Sequence, residues 1–199
     1  MNIQLLVFII ITIFVVIICY FKFNYPDMTY VKSDIDGKYY LVRNVKDKQQ
    51  ASNTLARIRN NIIQLSDYLY SHINDPTNKK YEQYIKILHS KVRDIIIVES
   101  TQDSIYTSYS VNKGEQIVFC LRSRKLLING LHDINLMMYV VLHEISHVAC
   151  PIYDNHGPLF REIFAFICSS AIKIGLYKKI DFANHPEDYC GLMINDSIV

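Results

Sequence analysis

The segment between Asp133 and Pro151 constrains the fold more strongly than any other part of the chain. It reads D-I-N-L-M-M-Y-V-V-L-H-E-I-S-H-V-A-C-P and is apolar on nearly every side of a helix. Asp133 suits the N-cap position and Pro151 cannot continue a helix, so the sequence predicts a helix that ends at about Ala149. A helix that is apolar nearly all round has to lie at the centre of a domain.

Three polar side chains on this helix have the spacing of a zinc site. His143 and His147 stand one turn apart on the same face, so both imidazoles can reach one ion about 2 Å away. Glu144 is offset by about 100° from His143, which places its carboxylate where it can deprotonate a zinc-bound water. The alternative is that these side chains, with Ser146, form the one exposed polar face of an ordinary helix.

His156 favours the metal site over that alternative. The helix ends before Pro151, the chain turns back, and His156 comes just ahead of a second helix that begins at Pro158. Three protein ligands with one open position are the arrangement of a catalytic zinc rather than a structural one. Glu162, one turn into the second helix, is the alternative third ligand.

The N-terminal run Ile3–Phe21 is almost wholly apolar. About 20 such residues are needed to cross a bilayer as a helix. No basic segment precedes the run and no small-x-small site follows it, which favours an uncleaved membrane anchor, residues 3–23, over a cleaved signal peptide. Because Lys22 and Lys32 flank its C-terminal end, the positive-inside rule predicts a single-pass protein whose domain faces the cytoplasm.

The cysteine content bears on the compartment of the protein, and the net charge bears on its binding partners. Five cysteines, an odd number without a C-x-x-C pair, predict free thiols in a reducing compartment rather than a disulfide framework or a cysteine metal cluster. The formal net charge of +2 gives no electrostatic indication that the protein binds nucleic acid. The cysteines are Cys19, Cys120, Cys150, Cys168 and Cys190.

The rest of the chain predicts a single α+β domain, residues 37–199, behind a juxtamembrane linker, residues 24–36. Apolar spacings of three and four predict helices, and alternating segments around Asn-Lys-Gly-Glu predict a hairpin. The tail after Gly175 is predicted to be irregular, with a turn near Pro186. Predicted helices are Asp47–Ile73, Lys80–Val92 and one that begins at Pro158 and ends just before Gly175. Predicted strands are Lys38–Arg43, Ile105–Val111 and Glu115–Arg122, while Ile95–Val98 fits a strand or a helix end.

The metal motif also resembles a known family. H-E-I-S-H, eight further residues and H-G-P-L-F resemble the WLM/SprT-like zinc metallopeptidases, in which H-E-x-x-H is followed by a histidine and a phenylalanine that opens the next helix. S-Y-S-V-N-K-G-E-Q-I-V-F-C-L-R-S and D-Y-C-G-L are similar to metallopeptidases of that type encoded by large DNA viruses. The resemblance covers residues 36–194.

The resemblance implies a minimal zincin-like α+β domain, with the active-site helix beside a small sheet. It implies His143, His147 and His156 as ligands of Zn²⁺. It also implies that Glu144 is the general base. Some cellular members of the family digest proteins crosslinked to DNA; this chain differs from them in having a membrane anchor and no evident DNA- or ubiquitin-binding tail.

Several other residues have two interpretations each. The strand Gln116–Arg122 can pair with an extended substrate or lie inside a three-stranded sheet. Tyr153 can stabilise an oxyanion or simply pack, and Asp154 and Asp181 can orient a ligand histidine or serve as caps. The basic run from Arg122 to Lys125 is predicted to be a solvated loop. His72, His89, His132 and His185 are predicted to be loop histidines.

Taken together, the sequence predicts a membrane-anchored zinc metallopeptidase that acts on a protein or peptide. The sequence leaves two alternatives open. One is a catalytically inactive protein of the same fold with an interaction or structural role. The other is a zinc hydrolase of a non-peptide bond. Nucleic acid is not indicated as a partner, and the sequence does not specify the oligomeric state.

Overall fold

Five helices and seven strands make up the part of the chain that the computed structural model describes, residues 2–24, 28–124, 130–151 and 156–199. Two candidate residues, Tyr153 and Asp154, lie outside it. The elements in chain order are α1 (Ile3–Asn24), β1 (Met28–Lys32), β2 (Tyr39–Arg43), α2 (Lys48–Ser71), a 3-10 turn (Lys79–Tyr81), α3 (Glu82–Lys91), β3 (Ile96–Glu99), β4 (Ser108–Val111), β5 (Gln116–Phe119), α4 (Ile134–Ala149), α5 (Pro158–Lys173), β6 (Glu187–Tyr189) and β7 (Leu192–Ile194).

The central helix is α4, as predicted. Asp133 caps it, because its carboxylate accepts hydrogen bonds from the backbone N–H groups of Asn135 at 2.8 Å and Leu136 at 3.3 Å. Its apolar side chains are buried on almost all sides, and it packs against α2, α3, α5 and β4. The predicted start after Asp133 and end at Ala149 are confirmed. The helix therefore holds its two histidines on a rigid, buried frame.

A three-stranded sheet lies beside α4, in the order β3-β5-β4. The β4–β5 pair is the predicted hairpin, with strands shorter than predicted, while β3 pairs with β5 in parallel. Because β5 is the middle strand, both of its edges are occupied, so the interpretation that it pairs with a substrate is wrong. The edge strand β4 is the one that faces α4.

The turn of this hairpin is fitted against α4. Asn112, Lys113 and Gly114 all have positive φ, and a Cβ at Gly114 would lie 2.8 Å from a methyl carbon of Val148. Only glycine combines that backbone with that approach. The close contact brings the end of β4 next to His147.

The segment predicted to be a linker, residues 24–36, differs from that prediction. Its residues 28–32 form β1, which pairs antiparallel with β2. Ser52 of α2 donates a hydrogen bond to the carbonyl oxygen of Val31 at 2.9 Å, which holds β1 against the helix. The strand was missed because five residues with polar flanks carry too little alternation to be recognised.

The predicted irregular tail is wrong, because it contains a hairpin, β6–β7. Cys190 and Gly191 form its two-residue turn with φ values of 54° and 87°, as a type I′ turn requires. Cys190 is joined to Cys120 by a disulfide that spans 70 residues, so the prediction of free thiols is wrong for this pair. Spacing could not reveal it, because a pairing over that distance depends on the fold. Among the described residues, Cys19, Cys150 and Cys168 form no disulfide.

The predicted solvated basic loop begins with a buried arginine instead. The Arg122 guanidinium is paired with the carboxylates of Asp47, at 2.8 Å, and Glu99. Glu99 also accepts a hydrogen bond from the backbone N–H of Arg43 at 2.7 Å. These charges stabilise one another because each would be costly to bury alone. They join the end of β5 to the start of α2.

Helix α1 is long and apolar enough to cross a membrane. Its window Ile3–Tyr20 has a mean hydropathy of 3.0, and none of that window is buried against the rest of the chain. This agrees with the length and composition of the predicted anchor. A signal sequence near an N-terminus has the same properties.

Candidate metal centre

Three histidine side chains converge at the C-terminal half of α4. The Nε2 atom of His143 lies 3.2 Å from Nε2 of His147 and 3.0 Å from Nε2 of His156. The ligand atoms of all three lie within 4.8 Å of one another. Two nitrogens bound to one tetrahedral zinc at 2.0–2.1 Å are roughly 3.3 Å apart. The two distances from His143 match this spacing, and the three side chains together can hold a metal ion.

The local chain explains how the third histidine reaches the other two. His143 and His147 come from consecutive turns of α4, and His156 lies just before the start of α5. Gly157 is the N-cap of α5 and Pro158 its first residue, so the helix begins immediately after His156. The predicted return of the chain to the metal position agrees with this geometry.

The Phe160 ring packs against all three histidines of the cluster. Its ring stacks on His147 with centroids 4.2 Å apart and contacts His143 and His156 edge-on, each at 5.0 Å. Phe164 adds an edge-on contact to His143 at 5.2 Å. The aromatic shell restricts the imidazole orientations, so the three nitrogens are held in position rather than free to turn away.

The electrostatic environment keeps two of the histidines neutral. Burial, followed by the neighbouring His147 and His156, lowers the pKa of His143 to about 3. Burial, followed by His156 and Lys113, lowers the pKa of His147 to about 4. Neutral imidazole is the form that binds metal, and three imidazoles suit zinc among other transition metals. The donor set therefore fits the Zn²⁺ that the sequence predicts.

Glu144 lies beside the cluster without belonging to it. Its side chain is 5% exposed, and burial raises its pKa to about 8. It lines two cavities that open on the histidines. A bound cation nearby would favour the charged carboxylate and lower this pKa. Glu144 therefore occupies a position from which it can exchange a proton with a molecule in either cavity.

The two cavities differ in the side chains that line them. One, of about 340 Å³, has a polar rim from β4 and the β4–β5 turn. The other, of about 370 Å³, lies between α4 and the β6–β7 hairpin, where residues 192–194 form part of an apolar wall and Asn195 and Asp196 form a polar end. Both share Ser108, His143, Glu144 and His156.

The alternative candidates lie away from the cluster. Glu162 is exposed and forms an ion pair with Lys80 at 2.9 Å, so it is not near the three histidine nitrogens as a third ligand. The carboxylate of Asp181 accepts hydrogen bonds from Asn184, and Asp181 does not line either cavity. Among the other histidines, His89 stacks on Tyr70 at 4.0 Å and lines neither cavity.

Tyr189 and Ser108 are site residues that the sequence analysis did not single out. Tyr189, 1% exposed, lies with its hydroxyl oxygen 2.6 Å from Ser108 Oγ. His132, predicted to be a loop histidine, packs on the Tyr189 ring at 5.0 Å and contacts Cys190 Sγ at 3.3 Å. No spacing rule links these positions, because the tail reaches the site only after the whole domain has folded.

The fold and the site define an α+β domain with a three-histidine cluster of the kind that holds a metal ion. A protein of Acanthamoeba polyphaga mimivirus, described as uncharacterized, is 42% identical over 198 residues, which cover 100% of this chain and 96% of that protein. This chain belongs to the same family as the mimivirus protein. An uncharacterized protein of Invertebrate iridescent virus 6 is 32% identical over 101 residues, 51% of this chain and 54% of that protein.

Two further comparisons concern family and fold. No protein-family model matches the chain. Among solved structures, the crystal structure of Wss1 from Saccharomyces cerevisiae is similar with a TM-score of 0.35 and 20% sequence identity, over 51% of this chain and 84% of the yeast chain.

Proposed function

We propose that this protein is a zinc-dependent metallopeptidase held to a membrane by α1. The observation that carries the proposal is the convergence of three histidine nitrogens beside Glu144, in a position open to two cavities. Three neutral ligands and one open position are typical of a catalytic metal site. The distance between the histidines and the burial of Glu144 support this function more strongly than a structural metal site.

In this proposal, His143, His147 and His156 hold the ion. When bound, zinc supplies Lewis acidity, which polarises the scissile carbonyl group and makes an attacking water more acidic. Glu144 takes a proton from that water and delivers it to the nitrogen of the leaving amine. In the metal-free protein burial raises the pKa of Glu144 to about 8, and a bound cation would lower this pKa, which favours the carboxylate that accepts the proton.

The edge strand β4 is positioned to bind the substrate backbone. It carries Ser108, Tyr109 and Ser110 along the polar cavity, and within the described residues it pairs with β5 alone. An extended peptide can add to such an edge through main-chain hydrogen bonds. This role replaces the one considered for β5, which is an interior strand.

The orientation of the domain has two opposite indications. Lys22 and Lys32 after the apolar run favour a cytoplasmic domain. The Cys120–Cys190 disulfide favours a compartment that is oxidising, because cytosolic proteins are kept reduced. The membrane anchor itself is proposed from the length and hydropathy of α1.

The full-length chain in detergent tests the function directly. Wild type is expected to hold close to one zinc per chain and to cleave members of a peptide library, while Glu144→Gln keeps the zinc and loses cleavage. His156→Ala is expected to lose zinc. Glu162→Gln is the matched control, because it changes an exposed carboxylate outside the cluster.

Each contrary result points to a different conclusion. A folded, zinc-supplied wild type without metal would overturn the metal site. Zinc without peptide cleavage would favour an inactive protein of this fold or hydrolysis of a different bond. Equal activity of Glu144→Gln and wild type would remove Glu144 from the chemistry.

A further inference from the structure

The cavity between α4 and the β6–β7 hairpin has an apolar wall directly beside the histidine cluster. Tyr139 and Val140 provide its helical side, one turn before His143. The hairpin provides the other side through Leu192 and Met193, which are 54% and 52% exposed. Both side chains are therefore accessible to a molecule that enters the cavity.

The hairpin is fixed in place by three interactions. The Tyr189 hydroxyl and Ser108 Oγ lie 2.6 Å apart, which joins β6 to the edge strand β4. The disulfide joins the hairpin turn at Cys190 to Cys120, just after β5. The Tyr189 ring also packs against His132. The wall is therefore a preformed part of the domain, and its shape is set before any substrate binds.

The other cavity lies on the opposite side of the shared residues and has different side chains at its rim. Its rim carries Tyr109, Ser110 and Asn112, and the Lys113 ammonium donates a hydrogen bond to the carbonyl oxygen of Cys150 at 2.8 Å. Thr107, just before β4, lines the apolar cavity, whereas the residues after Ser108 line the polar one. A chain laid along β4 would thus pass from one cavity to the other across the histidines.

We propose that the apolar cavity is a specificity subsite, which takes one bulky apolar side chain of the peptide immediately beside the scissile bond. The inference rests on the proposed peptidase function and adds the class of substrate. A volume of about 370 Å³ is at the small end of ligand pockets, which matches one or two side chains rather than a folded partner.

The occupant is a peptide because the cavity is continuous with the reacting groups. Its lining includes His143, Glu144 and His156 themselves, so whatever fills it lies against the proposed chemistry. A lipid tail or a second copy of this chain would contact Leu192 and Met193 without needing that continuity. These two occupants are distinguishable from a peptide, because neither would make cleavage preference depend on Leu192.

The test is cleavage-site profiling of a peptide library by full-length, zinc-loaded protein in detergent. We expect one position next to the cleaved bond to be enriched in Leu, Met, Phe or Ile by about tenfold or more over polar residues. Leu192→Asp is expected to shift that position towards Lys and Arg, and Leu192→Lys towards Asp and Glu. Ile105→Asp is the matched control, because Ile105 is 82% exposed and lines neither cavity.

The outcomes separate this inference from the function on which it rests. Efficient cleavage with a flat profile, or Leu192 variants with the wild-type profile, would overturn the subsite and leave the peptidase intact. An unchanged profile with weaker detergent or vesicle binding by the Leu192 variants would assign the residue to membrane contact instead. Absence of cleavage in every zinc-loaded protein would overturn the function and the subsite together.

Discussion

The Tyr189 hydroxyl oxygen lies 2.6 Å from Ser108 Oγ and so joins the last hairpin of the chain to the edge strand beside the histidine cluster. Ser108 lines both cavities, and Tyr189 lines the apolar one. The backbone N–H of Cys120 also donates to Ser108 Oγ, at 3.3 Å. One serine side chain therefore connects β4, β5 and β6 at the point where a substrate would cross the site.

Replacing Tyr189 by phenylalanine should remove this connection while keeping the ring. A buried hydrogen bond contributes roughly 1 kcal/mol, and more when the remaining partner is left unsatisfied. We expect Tyr189→Phe to lower the midpoint of thermal unfolding by a few degrees and to broaden cleavage preference, with zinc content unchanged. Tyr70→Phe, at a tyrosine 45% exposed, is the control. Loss of zinc in Tyr189→Phe would show instead that the hairpin supports the ligands.

Gly114 should be intolerant of substitution although it binds nothing. At φ +99° an added Cβ would lie 2.8 Å from a methyl carbon of Val148, one residue from His147. Overpacking and a forced left-handed backbone together cost about 1–3 kcal/mol or more. We expect Gly114→Ala to be destabilised by this amount in urea unfolding and to bind zinc more weakly.

Gly130→Ala is the matched control for that experiment. It makes the same chemical change at a glycine with no neighbouring heavy atom within 4 Å of the added Cβ. Equal stability of the two variants would contradict the importance of the turn contact.

The α-helical part of the fold and the three histidines of the cluster could be predicted from local sequence. Helix α4 shows its start and end in Asp133 and Pro151, and the spacing of His143 and His147 follows directly from helix geometry. The tail could not be predicted, because β6 and β7 have three residues each and their pairing depends on contacts with β4 and Cys120. Local patterns do not encode contacts between residues so far apart.

The same dependence on distant contacts explains why the sequence did not predict all of the residues that line the site. A helix places ligands by spacing, whereas the cavity walls come from segments about 80 residues apart, as Ser108 and Tyr189 show. The burial of Arg122 was missed for a similar reason. Its partners Asp47 and Glu99 reach it only through the tertiary fold.

The disulfide gives a prediction about compartment as well as stability. In full-length protein isolated from cells with free thiols blocked, we expect Cys120 and Cys190 to resist alkylation until a reductant is added. A covalent link over 70 residues stabilises a domain by roughly 2–4 kcal/mol, so reduction should lower the unfolding midpoint. Cys168→Ser is the control, because Cys168 is buried and free.

Orientation is measured in the same cells by protease protection of sealed membranes. An oxidised pair in a domain protected from cytosolic protease would agree with the disulfide. A reduced pair in an accessible domain would agree with Lys22 and Lys32 instead, and would contradict the expected bond.

We expect the metal-free protein to be most stable near pH 6.5, because burial shifts the pKa values of three side chains in the site. Burial raises the pKa of Glu144 from 4.5 to about 8. The stability that the neutral carboxyl group contributes to the folded state is therefore lost as the pH rises between these values. Burial lowers the pKa values of His143 and His147 from 6.5 to about 3 and about 4, so their contribution is lost as the pH falls below 6.5. Between pH 4.5 and 6.5 the two histidines change the free energy of unfolding more than the one carboxyl group does, so the protein becomes more stable as the pH rises.

Urea unfolding of the zinc-free chain between pH 6.5 and 8 isolates Glu144. At about 1.4 kcal/mol per pKa unit, the free energy of unfolding should fall by on the order of 2 kcal/mol over this range. Glu144→Gln should remove the fall, because glutamine does not ionise, and bound zinc should remove it by stabilising the carboxylate. Glu162→Gln should retain it, since the exposed Glu162 is held ionised by Lys80, which lowers its pKa. A fall that persists unchanged in Glu144→Gln would mean that a different group titrates, and would separate Glu144 from the buried position assigned to it.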